Sequence, residues 1–194
     1  MKAARKHFPK SAKGKAASRR VRYSVAVSLD GFIAGPKGEF DWIIMDPSFD
    51  FAGLFKQFDT FLLGRRTFEL TQQSGRGGEL APGAQTIVFS RTLRQSDYPK
   101  VTISSDVTKI VSDLKKKPGK DIWLFGGGEL FRSVLDAGLM DTVEVAVMPI
   151  LLSQGVPLLA AGARSPSLTL TASETLPNGI VRLSYNVAER RKSR

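Results

Sequence analysis

The run Asp121-Ile122-Trp123-Leu124-Phe125-Gly126-Gly127-Gly128-Glu129-Leu130 constrains this chain more than any other segment. It reads as a buried strand stopped by three glycines, then an amphipathic helix with Leu130, Val134 and Leu135 on one stripe. Glycines let the backbone turn sharply and let a ligand touch the main chain without meeting a Cβ. The N–H groups of the helix's first turn then point at that ligand, with the positive end of the helix dipole behind them. A phosphate suits that geometry. An unliganded strand-to-helix turn is the plainer alternative, and a glycine run alone does not choose between them.

Two further segments tip the balance. Thr60-Phe61-Leu62-Leu63-Gly64-Arg65-Arg66-Thr67-Phe68-Glu69 again reads strand, glycine, helix start. Cations in a first helical turn oppose the dipole, so local stability does not explain Arg65 and Arg66, whereas an anionic ligand does. Gln85-Thr86-Ile87-Val88-Phe89-Ser90-Arg91 is a third strand, ending in a hydroxyl and a guanidinium that together suit a phosphate monoester. Taken singly, each arginine is a solvated surface side chain. Three strand ends with the same chemistry point to a crevice at the carboxyl edge of a sheet.

Several function classes are excluded. The chain has no cysteine, and its one histidine, His7, lies in a polar tail. A thiol nucleophile, a disulfide framework and a histidine-based triad or metal site within one chain are therefore ruled out. The net charge of +11 resides in the tails. Residues 1–22 hold nine Lys/Arg and no acid, while residues 23–188 hold 16 basic and 17 acidic groups. A tail rich in Lys, Ala, Ser and Gly buries too little apolar surface to order itself. Residues 1–20 and 189–194 are thus expected to be basic tails around one domain at 21–188. The first tail reads as a solubilising extension, with weak polyanion contact next and an organelle-targeting segment a poorer fit. No segment reaches the ~18 apolar residues of a membrane span, which implies a cytoplasmic protein without membrane contact.

Along the chain, strands and helices alternate and the sequence closes in strands. Tyr23–Leu29 reads as the first strand, and Gly35-Pro36-Lys37-Gly38 as a loop. A helix is expected from Ser48 or Asp50 to about Phe58, and another from Asp106 to Lys117 with Asp106 as cap. Thr142–Met148 is a β-branched run. Leu168–Leu176 and Ile180–Val187 form a hairpin marked by Asn178-Gly179. The fold class is α/β: a mixed sheet, mostly parallel, with an antiparallel C-terminal edge, flanked by helices.

Together, Ser28-Leu29-Asp30-Gly31-Phe32-Ile33-Ala34, Gly64-Arg65-Arg66-Thr67-Phe68-Glu69, Phe89-Ser90-Arg91 and Gly126-Gly127-Gly128-Glu129-Leu130 resemble the dihydrofolate reductase-like family. The resemblance is to the bacterial group related to the reductase domain of riboflavin biosynthesis (RibD C-terminal domain), and it runs from about Val21 to Val187. It implies a dihydrofolate reductase-like fold and NADPH as cofactor. Arg65, Arg66 and Thr67, after Gly64, would then meet the adenosine-side phosphates, and Ser90 and Arg91 the 2′-phosphate. Gly126, Gly127, Gly128 and Glu129 would cradle the pyrophosphate and nicotinamide ribose. Ala26, Ile33 and Ala34 would line the nicotinamide beneath a lid at 35–41.

For catalysis the resemblance points to Trp42, beside the substrate, and to a carboxylate that supplies a proton. Asp50 and Asp30 are the candidates; a helix N-cap is the competing role for Asp50 and a turn former that for Asp30. The riboflavin-type reductases carry an Asp-Asp-Pro stretch where this chain has Gln73-Ser74-Gly75-Arg76-Gly77-Gly78. Three readings follow. One is an NADPH-dependent oxidoreductase of a small heterocyclic molecule, resembling 5-amino-6-(5-phosphoribosylamino)uracil reductase of riboflavin biosynthesis. The second is a dihydrofolate reductase. The third is a non-catalytic nucleotide-binding protein with the same fold. The expected partner is a small-molecule substrate, with room for a homodimer.

Overall fold

The structure is a computed structural model, which describes residues 19–47, 49–73, 80–162 and 165–188. Residues 1–18 and 189–194 of the expected tails, and residues 74–78 of the Gln73–Gly78 stretch, lie outside the described residues. Arg19 and Arg20, expected in the first tail, instead belong to the domain: Arg19 is buried and bonded to Thr60 and Lys120 O, and Arg20 bonds Asp121 and Asn186. Ten strands are present: β1 (Val21–Ser28), β2 (Phe32–Ala34), β3 (Phe58–Gly64), β4 (Gln85–Phe89), β5 (Thr102–Ser104), β6 (Asp121–Gly126), β7 (Thr142–Met148), β8 (Val156–Pro157), β9 (Leu168–Thr175) and β10 (Val181–Val187). Among the described residues four α-helices and a single 3-10 turn (Gln95–Asp97) join them: α1 (Phe51–Phe55), α2 (Arg65–Gln73), α3 (Val107–Lys116) and α4 (Gly128–Asp136). Eight strands form one sheet in the order β5-β4-β3-β6-β1-β7-β10-β9. Pairings from β5 through β7 are parallel, and β10 runs antiparallel to both β7 and β9. This is the mixed, antiparallel-edged architecture expected from the residue pattern. The small β2–β8 ribbon was not foreseen, because three and two residues carry no periodicity to read.

Strand alternation divides the apolar residues between two cores. Leu62, Ile87, Ile122 and Leu124 point to one face, where Val111 and Leu114 of α3 and Phe131, Val134 and Leu135 of α4 cover them. Tyr23 stacks there on Phe131, ring centroids 4.3 Å apart. Phe61, Leu63, Val88 and Trp123 point to the other face and pack with Phe68 of α2 and Leu54 and Phe55 of α1. On that second face the core stops at β6. Beyond it, β1, β7 and β10 present Arg22, Ser24, Ala26, Glu144, Ala146, Arg182 and Ser184, and the sheet lies open.

Helix ends follow their caps. Asp106 accepts from Lys109 N at 2.9 Å and starts α3 as expected. Asp50 accepts from Gly53 N at 2.7 Å and starts α1. That helix is shorter than the predicted span, because Phe58 is claimed by β3, where it is buried beside Trp123.

Candidate functional site

The parallel register brings three of the quoted motifs to one place. Phe89 of β4 lies opposite Gly64 of β3, so Ser90-Arg91 and Arg65-Arg66 leave the sheet side by side. On the other flank of β3, Gly64 is so close to the triple glycine that a Cβ on it would lie 3.6 Å from Gly126 O and 3.8 Å from Gly127 N. The Thr67 hydroxyl stands over both Gly126 and Gly127, 3.5 and 3.6 Å from where their Cβ atoms would be. All of these residues, with Ala26, Ile33, Ala34 and Glu129, line one cleft along the carboxyl edge of the sheet.

The three glycines are not equivalent. Gly126 has φ +147°, a conformation other residues resist, and its peptide bond to Gly127 is cis. Gly128 is hemmed in by the chain itself: a Cβ there would sit 2.5 Å from Pro157 O and 3.3 Å from Leu158 O. Gly127 is different. Its φ is −102°, and an added Cβ would meet only the Thr67 hydroxyl, at ordinary contact distance. No atom beyond the adjoining residues crowds that position, and its φ is one that any residue adopts. Gly127 is also the N-cap of α4 and offers no capping side chain, so the first-turn N–H groups face the cleft unserved by a cap.

The cations divide as well. Arg65 is paired with Glu69 one turn along α2 at 3.0 Å. Arg66 and Arg91 are exposed and have no acidic partner among the described residues. Ser90 Oγ accepts from Thr92 N at 3.1 Å and Leu93 N at 3.0 Å, which fixes the turn that carries Arg91.

Of the three residues expected to be catalytic, Asp50 borders the cleft and Trp42 and Asp30 do not. Trp42 donates its indole N–H to Glu39 O at 3.1 Å and lies outside the cleft lining. Asp30 accepts from Ser28 Oγ at 2.6 Å and from the backbone N–H groups of Leu152 and Ser153 at 3.1 and 2.7 Å. These bonds, the Ser28 hydroxyl foremost, hold its carboxyl below the usual range, the reverse of what a proton donor needs. Asp30 clasps the 150–155 loop to the end of β1. Asp50 does border the cleft, as the cap of α1. Every residue of α1 itself, Phe51 to Phe55, is uncharged.

The segment expected as a lid is a compact turn. Gly35 N bonds Glu39 O at 2.8 Å, Gly38 N bonds Gly35 O at 3.0 Å, and the Glu39 carboxylate accepts from Lys37 N. Backbone N–H bonds, its own first, keep the Glu39 carboxyl low. Large apolar side chains cluster at the cleft mouth: Phe40, Ile44, Met45, Phe51 and Leu70 are all well exposed. Exposed aromatics around a cleft lined with small residues suit a planar organic ligand. The sequence reading missed Glu144 and Arg182 on the cleft floor. The visible signal was a lone glutamate inside the apolar run Thr142–Met148. Among the described residues no cluster of acids or histidines could hold a metal, and no helix is long and apolar enough to cross a membrane.

A mixed eight-stranded sheet with a cleft at the carboxyl ends of β1, β3, β4 and β6 defines the class: a dihydrofolate reductase-like fold. The chain belongs to the RibD C-terminal domain family, whose profile matches residues 19–182. YyaP, an uncharacterised protein of Bacillus subtilis (strain 168), is 36% identical over 178 residues, which cover 87% of this chain and 95% of that protein. A Shewanella sp. PV-4 structure, provisionally named a riboflavin biosynthesis protein, is 26% identical with a TM-score of 0.74, over 88% of this chain and 99% of that one. Dihydrofolate reductase from Enterococcus faecalis, solved with NADP(H), shares the fold at 18% identity and a TM-score of 0.64, over 88% of this chain and 97% of that one. A bifunctional deaminase and 5-amino-6-(5-phosphoribosylamino)uracil reductase from Thermotoga maritima also shares it, at 18% identity and a TM-score of 0.66. This chain matches 88% of its own length to 57% of that protein.

Proposed function

We propose that this protein is an NADPH-dependent reductase of a small heterocyclic substrate. The observation that carries the reading is Gly127, whose φ is ordinary and whose Cβ position no surrounding side chain or distant backbone atom crowds, set in the cleft at the start of α4. Space for a Cβ left unfilled at that point is space for a ligand that approaches the backbone. The dinucleotide would extend from there past Thr67 to Arg66 and Arg91, two exposed guanidiniums without acidic partners among the described residues. A nicotinamide cofactor supplies a hydride when bound. The chain's own residues do the rest. Arg91, fixed by the Ser90 turn, offers a forked contact for a phosphate monoester, which favours the phosphorylated dinucleotide. Ala26 and Ala34, being small, let a flat ring rest close to the β1 backbone. The apolar mouth excludes water from the ring that is reduced.

A dihydrofolate reductase activity fits less well, because α1 presents Phe51, Leu54 and Phe55 toward the cleft and no acid. The deciding experiment is cofactor titration followed by NADPH oxidation with dihydrofolate and with the ribosylaminopyrimidine intermediate of riboflavin synthesis. Failure to bind NADPH would remove the reductase reading. Binding without turnover of either compound would leave a reductase of another heterocycle.

A further inference from the structure

On the open half of the sheet the strands align in rows. Ala26, Ala146 and Arg182 form one row across β1, β7 and β10, and Ser24, Glu144 and Ser184 form the next. Two alanines side by side leave a shallow slot about 10 Å across two strand spacings, beyond the cofactor end of the cleft. Phe49, Phe51, Leu54 and Phe55 border it. The 43–50 segment that brings Phe49 there is tied down by Asp46 Oδ2, which accepts from Asn178 Nδ2 at 3.1 Å.

Two opposite charges stand on the slot floor. Glu144 is 19% exposed and takes two bonds of 2.9 Å from Arg22, through Nε and Nη2. Arg182 is 23% exposed, lies 4.6 Å over the Phe49 ring and donates to Glu174 Oε2 at 3.2 Å. Burial lowers the Arg182 pKa, and Glu174 and Glu144 partly offset that. A plain surface ion pair contributes little and needs no aromatic cover. Here the guanidinium sits over a ring at the border of a cleft, so less entropy is lost when it grips a planar ligand. Arg22 uses only part of the Glu144 carboxylate, whose two oxygens have about four acceptor positions.

We infer that Glu144 and Arg182 read the edge of the substrate ring laid on Ala26 and Ala146. Glu144 accepts from a ring N–H, and Arg182 donates to the neighbouring exocyclic oxygen. The pair therefore selects a cyclic-amide edge over an edge of donors alone. This rests on the reductase reading for the location of the ring, and its test separates the two.

The probes are 5,6-diaminouracil, which has the amide edge, and 2,4-diaminopyrimidine, which lacks the oxygen. Binding of each is followed by NMR titration with and without NADP+. The full-length protein is expected to bind the uracil at least about tenfold better than the diaminopyrimidine. Glu144→Gln and Arg182→Gln should each weaken uracil binding about tenfold or more and change NADP+ affinity less than about twofold. Arg182→Lys keeps the charge and the Glu174 pair but loses the fork, so an intermediate loss is expected; it also serves if Arg182→Gln proves unstable. Folded variants that bind both probes like the wild type would overturn the inference, as would a wild type that binds neither. Uracil binding that depends on both residues in a protein that ignores NADP+ would uphold the pair and remove the nicotinamide reading.

Discussion

The two ends of the cleft are built in different ways. The end at β3, β4 and β6 consists of contiguous motifs, each a strand followed at once by glycine, arginine or serine, delivered together because parallel strands end on the same edge. The end at β1, β7 and β10 consists of every second residue of strands that are far apart in sequence, placed in rows by register alone. On the proposed reading the first would grip with the main chain and with the arginines that follow the strand ends, and the second with side chains alone. A site that grips with its backbone tolerates almost no added atoms, whereas one that grips with side chains can be retuned singly.

That contrast is open to direct attack. The largest effect is expected at Gly127. Gly127→Val should leave a folded protein by circular dichroism and abolish NADPH binding in a fluorescence titration; normal binding would mean that the main chain does not grip anything there. Gly128→Ala should behave in the opposite way. Its methyl group has nowhere to go beside Pro157 O, so unfolding by denaturant should show a loss of about 1–3 kcal/mol. If the two glycine variants have the same phenotype, the distinction between a ligand-facing and a chain-facing glycine fails.

Arg91→Ala comes next. It should weaken NADPH binding by about 1.5–3 kcal/mol and NADH binding far less, and equal losses by calorimetry would contradict the monoester contact. Asp50→Asn should keep α1 intact, since asparagine caps as well as aspartate. Turnover should be retained, with the proton coming from water; a large fall in turnover at unchanged stability would restore Asp50 as the donor. The smallest effect is expected from deleting residues 1–18. Arg19 is anchored to Asp59, Thr60 and Lys120 O near the N-terminal end of β3, the end of the strand opposite Gly64. Cofactor affinity and melting temperature should hardly change, while retention on a polyanion column should fall and should be salt-sensitive.

How much of this was legible in the sequence follows the same division. The sheet class, the helix cap at Asp106, the β7 span and the glycine and arginine motifs were readable, since each is written in neighbouring residues. The catalytic expectations fared differently. Asp30 and Trp42 stand beside motif residues in the chain, yet one ties down the 150–155 loop and the other bonds Glu39 O outside the cleft. Adjacency in sequence does not say which way a side chain turns. Glu144 showed only as a lone glutamate in an apolar run, and Arg182 not at all, for the converse reason: their neighbours are set by pairing across β7 and β10, and no local spacing encodes that register. The different demands at Gly126, Gly127 and Gly128 also needed coordinates, because Pro157, which crowds only the last, is 29 residues away.

The central position of β1 has a consequence for the chain as it is being made. Of the described strands β1 is made first, and its sheet partners are β6 and β7, which do not both exist until synthesis reaches Met148. Until then Val21, Tyr23, Val25 and Val27 have no cover, and the cleft has neither its floor nor its middle. Strands β3, β4 and β5 can pair early, but the site cannot assemble piecemeal. While the segment up to Met148 is made, β1 stays sticky and unpaired, the period in which chaperone capture or mispairing competes with folding.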